Sequence, residues 1–221
     1  MANLFLERLA AAVAVVALQS GAAGRITGTI DTGPGRMPIN YECDRTEVDY
    51  LAHQMHLQGK VKIAQGDISV AADEADAKAT SQDFKTSHWV FSGSVHVRAE
   101  SQGDLHADRA TVEIANGALA SASVSGSPAQ FQQTRASSDR LVKGHAATIY
   151  YDVAAATVKL AGDAADDAWL SEDKTENVMH SPSITYNVRD KRIESDAGSS
   201  AGGRVRMTIT PKPGSGPGKK P

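Results

Sequence analysis

The chain has 221 residues, a net charge of −3, 5% aromatic residues, 19 glycines and a single cysteine. That length is enough for a domain with a real core, and the charge offers no cationic field to nucleic acid. A lone cysteine excludes an internal disulfide and a cysteine-rich zinc site, while Val, Ile, Thr, Ser and Ala with few rings suit many short strands joined by turns.

The first element is "LAAAVAVVAL", an unbroken apolar run from Leu9 to Leu18. It is about half the roughly 20 residues needed to cross a bilayer. Ser20, Gly21, Ala22 and Ala23 follow, which is the layout of a secretory signal with its small-residue cleavage site. Glu7 offsets Arg8 in the leading segment, so an uncleaved anchor is the alternative for residues 1–23. Either one exports the body, and export without a disulfide framework suits a bacterial periplasm. Residues 24–36 read as a flexible N-terminal segment. At the other end, residues 212–221, "KPGSGPGKKP", hold nothing to bury and read as a disordered tail.

Between these ends one phrase recurs: "LQGKVKIAQG" at Leu57, "FSGSVHVRAE" at Phe91, "VSGSPAQFQQ" at Val124 and "LAGDAADDAWL" at Leu160. Its glycines, Gly59, Gly93, Gly126 and Gly162, are 34, 33 and 36 residues apart. A second phrase interleaves with it, marked by Asp73, Asp108, His145 and Pro182 at steps of 35, 37 and 37. Two interleaved phrases sharing one period predict a structural repeat of two to three strands per unit. Apolar residues fall at every second position: Val61 and Ile63, Val95 and Val97, Val112 and Ile114, Ile149 and Tyr151, Val158 and Leu160, Ile184 and Tyr186, then Val205, Met207 and Ile209. Lys62, His96, Glu113, Lys159 and Arg206 lie between them, so one face looks inward and the other to water. "AADEADAKATSQDF" would pass as a helix on propensity, but the repeat aligns it with the strand "ADRATVEI" and predicts a strand. The inward stripes are mostly Val, Ile and Ala. Two sheets about 10 Å apart need bulk to fill the gap, so small linings imply either an interior completed by an apolar ligand or a closely spaced sandwich.

Candidate chemistry is weak everywhere. Gly198–Gly202 satisfies G-x-S-x-G, but "RVRMTI" after it is strand-like, where a nucleophile elbow needs a helix. His53 and His56 have a spacing that could share a metal but lack a third ligand. Asp166 and Asp167 are neighbours, and neighbours in a strand point to opposite faces. The tail "GPGKKP" lacks the first glycine and the Ser/Thr of a phosphate loop. His145 reads as a strand-start residue. No enzyme, metal site or cofactor is expected.

Specific stretches then resemble a known family: "MPINYECD", "GSPAQFQQ", "KGHAATIYYDVAAATVKLAG", "AWL", "ITYNVRDKRIES" and "GRVRMTITP", spanning most of residues 36–211. Together they resemble the LptA/OstA-like periplasmic lipopolysaccharide-transport family. The "GHA" strand followed by a "VKLAG…AWL" hairpin is the most specific part. The resemblance implies an all-β fold: an elongated, twisted β-jellyroll of repeated antiparallel strands, V-shaped in section, over residues 37–211, without substantial helices. It also implies a bridge in the periplasm whose apolar groove shields the acyl chains of lipopolysaccharide (lipid A) between the two membranes. Carried over by motif, lipid-facing residues are Ile39, Tyr41, Phe131, Ile149, Tyr151 and Val153. The alternation adds Val95, Val97, Val158, Leu160, Ile184 and Tyr186. Implied partners are an inner-membrane LptC-like protein, an outer-membrane LptD-like protein and further copies stacked head to tail. Strand addition is expected at Ile39, Asn40 and Tyr41 on one side and at Val205, Met207 and Ile209 on the other. Departures from the family pattern are an extra strand pair within 45–90, a "GDAADDAWL" segment longer than usual, and Ser181-Pro182 where a Gly-Asp turn is expected. The alternatives are an anchored LptC-like component of the same pathway, a structural β-repeat adaptor without lipid, and, more weakly, a carbohydrate-active β-scaffold enzyme, which the lack of paired carboxylates opposes.

Overall fold

The computed structural model describes residues 25–31, 37–99, 103–135, 140–164, 166–172, 177–187, 189–190, 192–197 and 204–208. The export segment, the tail, Gly198–Gly202 and Ile209 lie outside the described residues.

The described residues form fifteen strands and no helix. In chain order they are β1 (Ile26–Ile30), β2 (Ile39–Cys43), β3 (Arg45–Asp49), β4 (Gln54–Gln65), β5 (Ile68–Ala79), β6 (Ser87–Ala99), β7 (Gly103–Ala115) and β8 (Ala118–Arg135). After them come β9 (Arg140–Asp152), β10 (Thr157–Ala161), β11 (Ala168–Glu172), β12 (Asn177–Ser181), β13 (Ser183–Asn187), β14 (Arg192–Asp196) and β15 (Arg206–Thr208). The expected all-β architecture of repeated antiparallel strands is therefore present. Residues 71–79, where propensity favours helix, lie in β5, because burying Ala72, Ala75 and Ala77 against neighbouring strands outweighs a small intrinsic preference.

The main strand order is β1-β2-β4-β5-β6-β7-β8-β9-β10-β13-β14. Two side branches leave it, β3 on β4 and β11-β12-β15 on β9. The branches arise because long strands change partners midway. Gln54–Gln58 of β4 pairs with β3, and Lys62–Ala64 pairs with β2. Likewise Val142–His145 of β9 pairs with β11, and Thr148–Asp152 pairs with β10. The "VKLAG…AWL" segment is thus not a hairpin. Its two strands lie in sequence along β9, with Asp163 and Asp166 closing the step between them (Asp163 N to Asp166 O, 2.9 Å). His145 correspondingly lies inside β9 rather than at a strand start.

Two of the glycine markers coincide with backbone bends, the first of them at the mid-strand step of β4. Gly59 and Lys60 are both left-handed (φ 77° and 48°), as are Gly93 and Ser94 (75° and 49°). Two such residues in a row make a bulge that bends the strand, and glycine adopts this region without penalty. The register of β4 on β5 shifts between Gln58 and Val61. Each of these two glycines lies against an aspartate: a Cβ on Gly59 would come 2.9 Å from Cβ of Asp44, between β2 and β3, and one on Gly93 the same distance from Cβ of Asp73 in β5. At the next period Ser127 N donates to Asp108 Oδ2 at 3.1 Å, and at the last Gly162 N donates to the Pro182 carbonyl at 2.9 Å. Pro182 sits between β12 and β13, so its missing N–H costs no ladder bond.

The strands gather into two compact units. One holds the described residues up to Val97 with Arg109–Ala122; the other holds Arg98–Asp108 with the residues from Ser123 onward. They are called units 1 and 2 below. β1 lies inside the segment 24–36 that was expected to be flexible, and it pairs along its whole length with β2.

Candidate functional site

Unit 2 sets two parallel rows of side chains on the inner face of β9, β10, β13 and β14. The register places Ile149 opposite Leu160 and Leu160 opposite Ile184. These three are 5%, 1% and 0% exposed and form the floor. Two residues along each strand, and so on the same face, lie Tyr151, Val158, Tyr186 and Ile193, again directly opposite one another. The first three are half-buried and Ile193 is 41% exposed. An apolar stripe four strands wide thus runs from a closed floor to an open margin. Asp152 and Asn187 cap the turns at that margin, with Asp152 Oδ1 accepting from Ala155 N at 2.8 Å and Asn187 Oδ1 from Arg189 N and Asp190 N at 3.0 and 2.9 Å. The outer face of the same strands carries Tyr150, Lys159 and Glu194.

The half-sheet of β9, β11, β12 and β15 supplies buried Val142, Gly144 and Ala146. The ring of half-buried Phe131, on β8, lies over Gly144, where an added Cβ would come 2.9 Å from Phe131 Cζ. Half-buried Leu170 and Met179 follow Gly144 in register. Ser181 is fully buried, and its hydroxyl lies 2.9 Å from the carbonyls of both Ser183 and Asp196, so it has an acceptor and adds no uncompensated polar group. On the outer face His145 stacks on Trp169 (centroids 5.3 Å apart) with Nε2 3.4 Å from Asp166 Oδ2.

Unit 1 is filled differently. Its buried apolar residues include four with aromatic rings, Tyr41, Phe84, Trp89 and Phe91, beside Met55, Leu57 and Val61. Among the described residues, those of unit 2 include none, and four of its nine, Ala107, Ala129, Ala146 and Ala168, are alanines. Among the described residues the buried side chains of unit 2 are thus smaller on average than those of unit 1.

Of the residues expected to face lipid, Ile149, Leu160 and Ile184 form the floor of unit 2 and Tyr151, Val158 and Tyr186 its open margin. Phe131 lies on the adjoining half-sheet. Val153 departs from the expectation: it is 37% exposed in the turn after β9, beyond the end of the inward stripe. Ile39, Tyr41 and Val95 are buried within unit 1, and Val97 is half-buried. Burial raises the Tyr41 phenol above its ordinary pKa, with smaller contributions from Cys43 and Tyr50. Ile193 was missed, although "RIESD" continues the same alternation.

The edge expected at Ile39, Asn40 and Tyr41 needs correction. β2 is paired on both sides, by β1 and by β4, so it has no free ladder of N–H and C=O groups. The edges at that end are β1 and β3. Among the described residues β15 pairs with β12 alone, with Met207 exposed on it and Val205 exposed just before it.

His53 and His56 do not converge. His56 Nδ1 instead lies 2.8 Å from Asp76 Oδ1 on the outer face, and no group of three metal-ligating side chains occurs among the described residues. A depression of about 370 Å³ beside His56 is lined largely by charged and polar residues, among them Glu47, Asp49, Asp76, Lys78 and His88.

Residues 74–192 match the family model described as LptA/(LptD N-terminal domain) LPS transport protein. No curated protein sequence matches the chain. Among solved structures, the chain is similar to LptH of Pseudomonas aeruginosa, the LptA-homologous periplasmic component of the lipopolysaccharide transport device, at 19% identity and a TM-score of 0.41, covering 79% of this chain and 96% of that one.

Proposed function

The chain belongs to the LptA/(LptD N-terminal domain) LPS transport protein family, and from that premise we propose that it carries lipopolysaccharide through the periplasm with the acyl chains held against the apolar stripe of unit 2. The observation that carries this reading is the row of half-buried Tyr151, Val158 and Tyr186 with exposed Ile193 beside a buried floor. It is apolar surface on the inner face that the protein's own side chains leave uncovered. Burying one CH₂ is worth about 0.8 kcal/mol, so a twelve-carbon chain in water costs on the order of 10 kcal/mol. An apolar stripe removes most of that barrier. It differs little from a membrane interior in apolarity, so binding is modest and reversible, and direction comes from an external energy source. Tyr151 and Tyr186 suit the margin, because a tyrosine offers an apolar ring and a polar tip where hydrocarbon meets water.

Partners follow from the edges. Strand addition by an inner-membrane LptC-like protein fits β1 or β3. β15, or β14, fits the next copy of this chain or an outer-membrane LptD-like protein. A contact between unlike edges propagates rather than closes.

The test is photo-crosslinking in the presence of lipopolysaccharide, with the reactive group placed at Val158 or at its neighbour Lys159. These two alternate between the inner and outer faces of β10. Lipid labelled from Val158 and not from Lys159 is the expected result. Equal labelling from both would overturn the assignment.

A further inference from the structure

The half-sheet of β9, β11, β12 and β15 carries opposite chemistry on its two faces. Its inner face presents Gly144, Leu170, Met179 and Met207, paired strand to strand and without a polar side chain. One residue along each strand, the outer face presents His145, Trp169, His180 and Arg206, again directly opposite one another. Neighbouring strands lie about 4.8 Å apart, so this outer row spans about 14 Å. His145 stacks on Trp169 with centroids 5.3 Å apart and planes at 22°, which fixes the indole on the sheet. His145, Trp169 and His180 are half-buried, and Arg206 is exposed. Exposed Lys143, two residues before His145 on β9, extends the same face.

The polar groups of this row are overwhelmingly donors: an ammonium, a guanidinium, an indole N–H and the imidazole N–H groups. Cations on other outer surfaces come with an acceptor: His56 with Asp76, Lys62 with Glu42, His88 with Glu113 and Arg98 with Asp104. Here Asp166 reaches His145, Oδ2 to Nε2 at 3.4 Å, while among the described residues no carboxylate pairs with Lys143, His180 or Arg206. We infer that the outer row is a binding strip for an anionic oligosaccharide, with Arg206 and Lys143 holding its phosphate or carboxylate groups and the rings of Trp169 and His180 packing against sugar C–H surface. Such a ligand supplies both things the row is built to meet, oxygen acceptors along its length and apolar ring faces between them. A membrane surface fits less well, because Trp169 and Val178, the apolar side chains of this face, are both half-buried and leave little to insert. The strip lies on the opposite face from the residues assigned to acyl chains, so it goes beyond that reading and stands without it. Strand addition at β15 uses backbone groups and leaves Arg206 on the face.

The experiment follows the indole N–H resonances of Trp169 and Trp89 in the isotope-labelled whole chain, with Trp169→Phe assigning the two. The probes are the phosphorylated oligosaccharide released from lipopolysaccharide by delipidation, oligogalacturonate as a carboxylated glycan, and maltohexaose as a neutral one. The anionic glycans should shift Trp169 and leave Trp89 in place. Arg206→Ala and Lys143→Ala, both at exposed positions where the fold is not at stake, should each weaken that binding about tenfold. Both should leave displacement of an acyl probe unchanged. Tighter binding of the phosphorylated probe supports the strip with the cargo's own sugars as the source, and tighter binding of oligogalacturonate supports it with a free glycan as the source. Maltohexaose binding as tightly as the anionic probes overturns the inference, as does unchanged affinity in both variants. No shift with any glycan overturns it too, and a shift with anionic phospholipid vesicles alone gives the face to a membrane instead. Failure of the acyl probe to bind the unaltered protein removes the acyl-chain reading and leaves the strip standing.

Discussion

Truncating Ile184 and truncating Val158 should separate the stability of unit 2 from its ligand surface. Ile184 is completely buried in the floor row, between Leu160 on β10 and Ser195 on β14. Ile184→Ala removes buried carbon and leaves a space that a strand locked by ladders on both sides fills poorly. Such changes cost about 2–5 kcal/mol, and the floor position favours the upper half of that range. Val158 lies two residues before Leu160 on β10, on the same face but half-buried. Val158→Ala removes less surface and leaves no enclosed void, so its cost should stay near or below ~1 kcal/mol. Binding should show the reverse contrast: Val158→Ala loses contact with the bound chain, whereas Ile184→Ala touches ligand only through its effect on the fold. Urea unfolding followed by circular dichroism reads the first quantity, and displacement of a fluorescent acyl probe reads the second. If Val158→Ala lowers the urea midpoint as far as Ile184→Ala, the margin row is packed core and the uncovered stripe does not exist.

Phe131→Asp places a carboxylate in the half-buried site over Gly144, and it should abolish acyl-probe binding while leaving the circular dichroism spectrum recognisably β. Unchanged binding would remove Phe131 from the site. Gly93→Ala forces a side chain into a left-handed position against Asp73, and it should cost about 1–2 kcal/mol from the backbone alone. Adding Asp73→Gly, which removes the opposing Cβ as well, should recover the steric part and not the backbone part, as a double-mutant cycle in urea would register. Burial holds the Cys43 thiol above its ordinary pKa, against weaker opposing hydrogen bonds from Arg45 and Gln58. A raised thiol pKa favours the folded state below the ordinary thiol range, and that advantage is lost as pH rises through the folded value. Thiol reagents at mildly alkaline pH should therefore modify native protein far more slowly than urea-unfolded protein, and equal rates would contradict the burial. The Ser81 hydroxyl, 2.7 Å from Asp83 Oδ1, is the main group holding that carboxyl below its usual range; the Lys85 N–H assists at 3.2 Å, and partial burial opposes. A depressed carboxylate pKa stabilises the loop above the ordinary carboxylate range, and the contribution disappears as pH falls through the folded value. Hydrogen exchange at Phe84 and Lys85 should accordingly lose protection on acidification, and Asp83→Asn should show the weakened protection already at neutral pH. An Asp83→Asn protein with native protection at neutral pH would count against this.

Periodicity alone determined much of this protein. Alternation of apolar and polar residues specifies which face of each strand is buried, because a one-residue slip would expose every inward side chain. The repeated glycines are legible in the spacing, and at Gly59 and Gly93 they mark bends, since a left-handed residue tolerates few side chains. The repeat also overruled helix propensity at residues 71–79. What alternation cannot supply is depth along a strand or the identity of neighbours across it. Val158 and Leu160 look alike in sequence, yet one lines the margin and the other the floor, because depth depends on where β9, β10 and β13 end together. The pairing of β1 with β2, which moved the free edge away from Ile39–Tyr41, and the descent of Phe84 from a polar loop into a buried site are long-range events. Each is decided by which strands and side chains compete for the same enclosed space, and only the tertiary structure records the outcome.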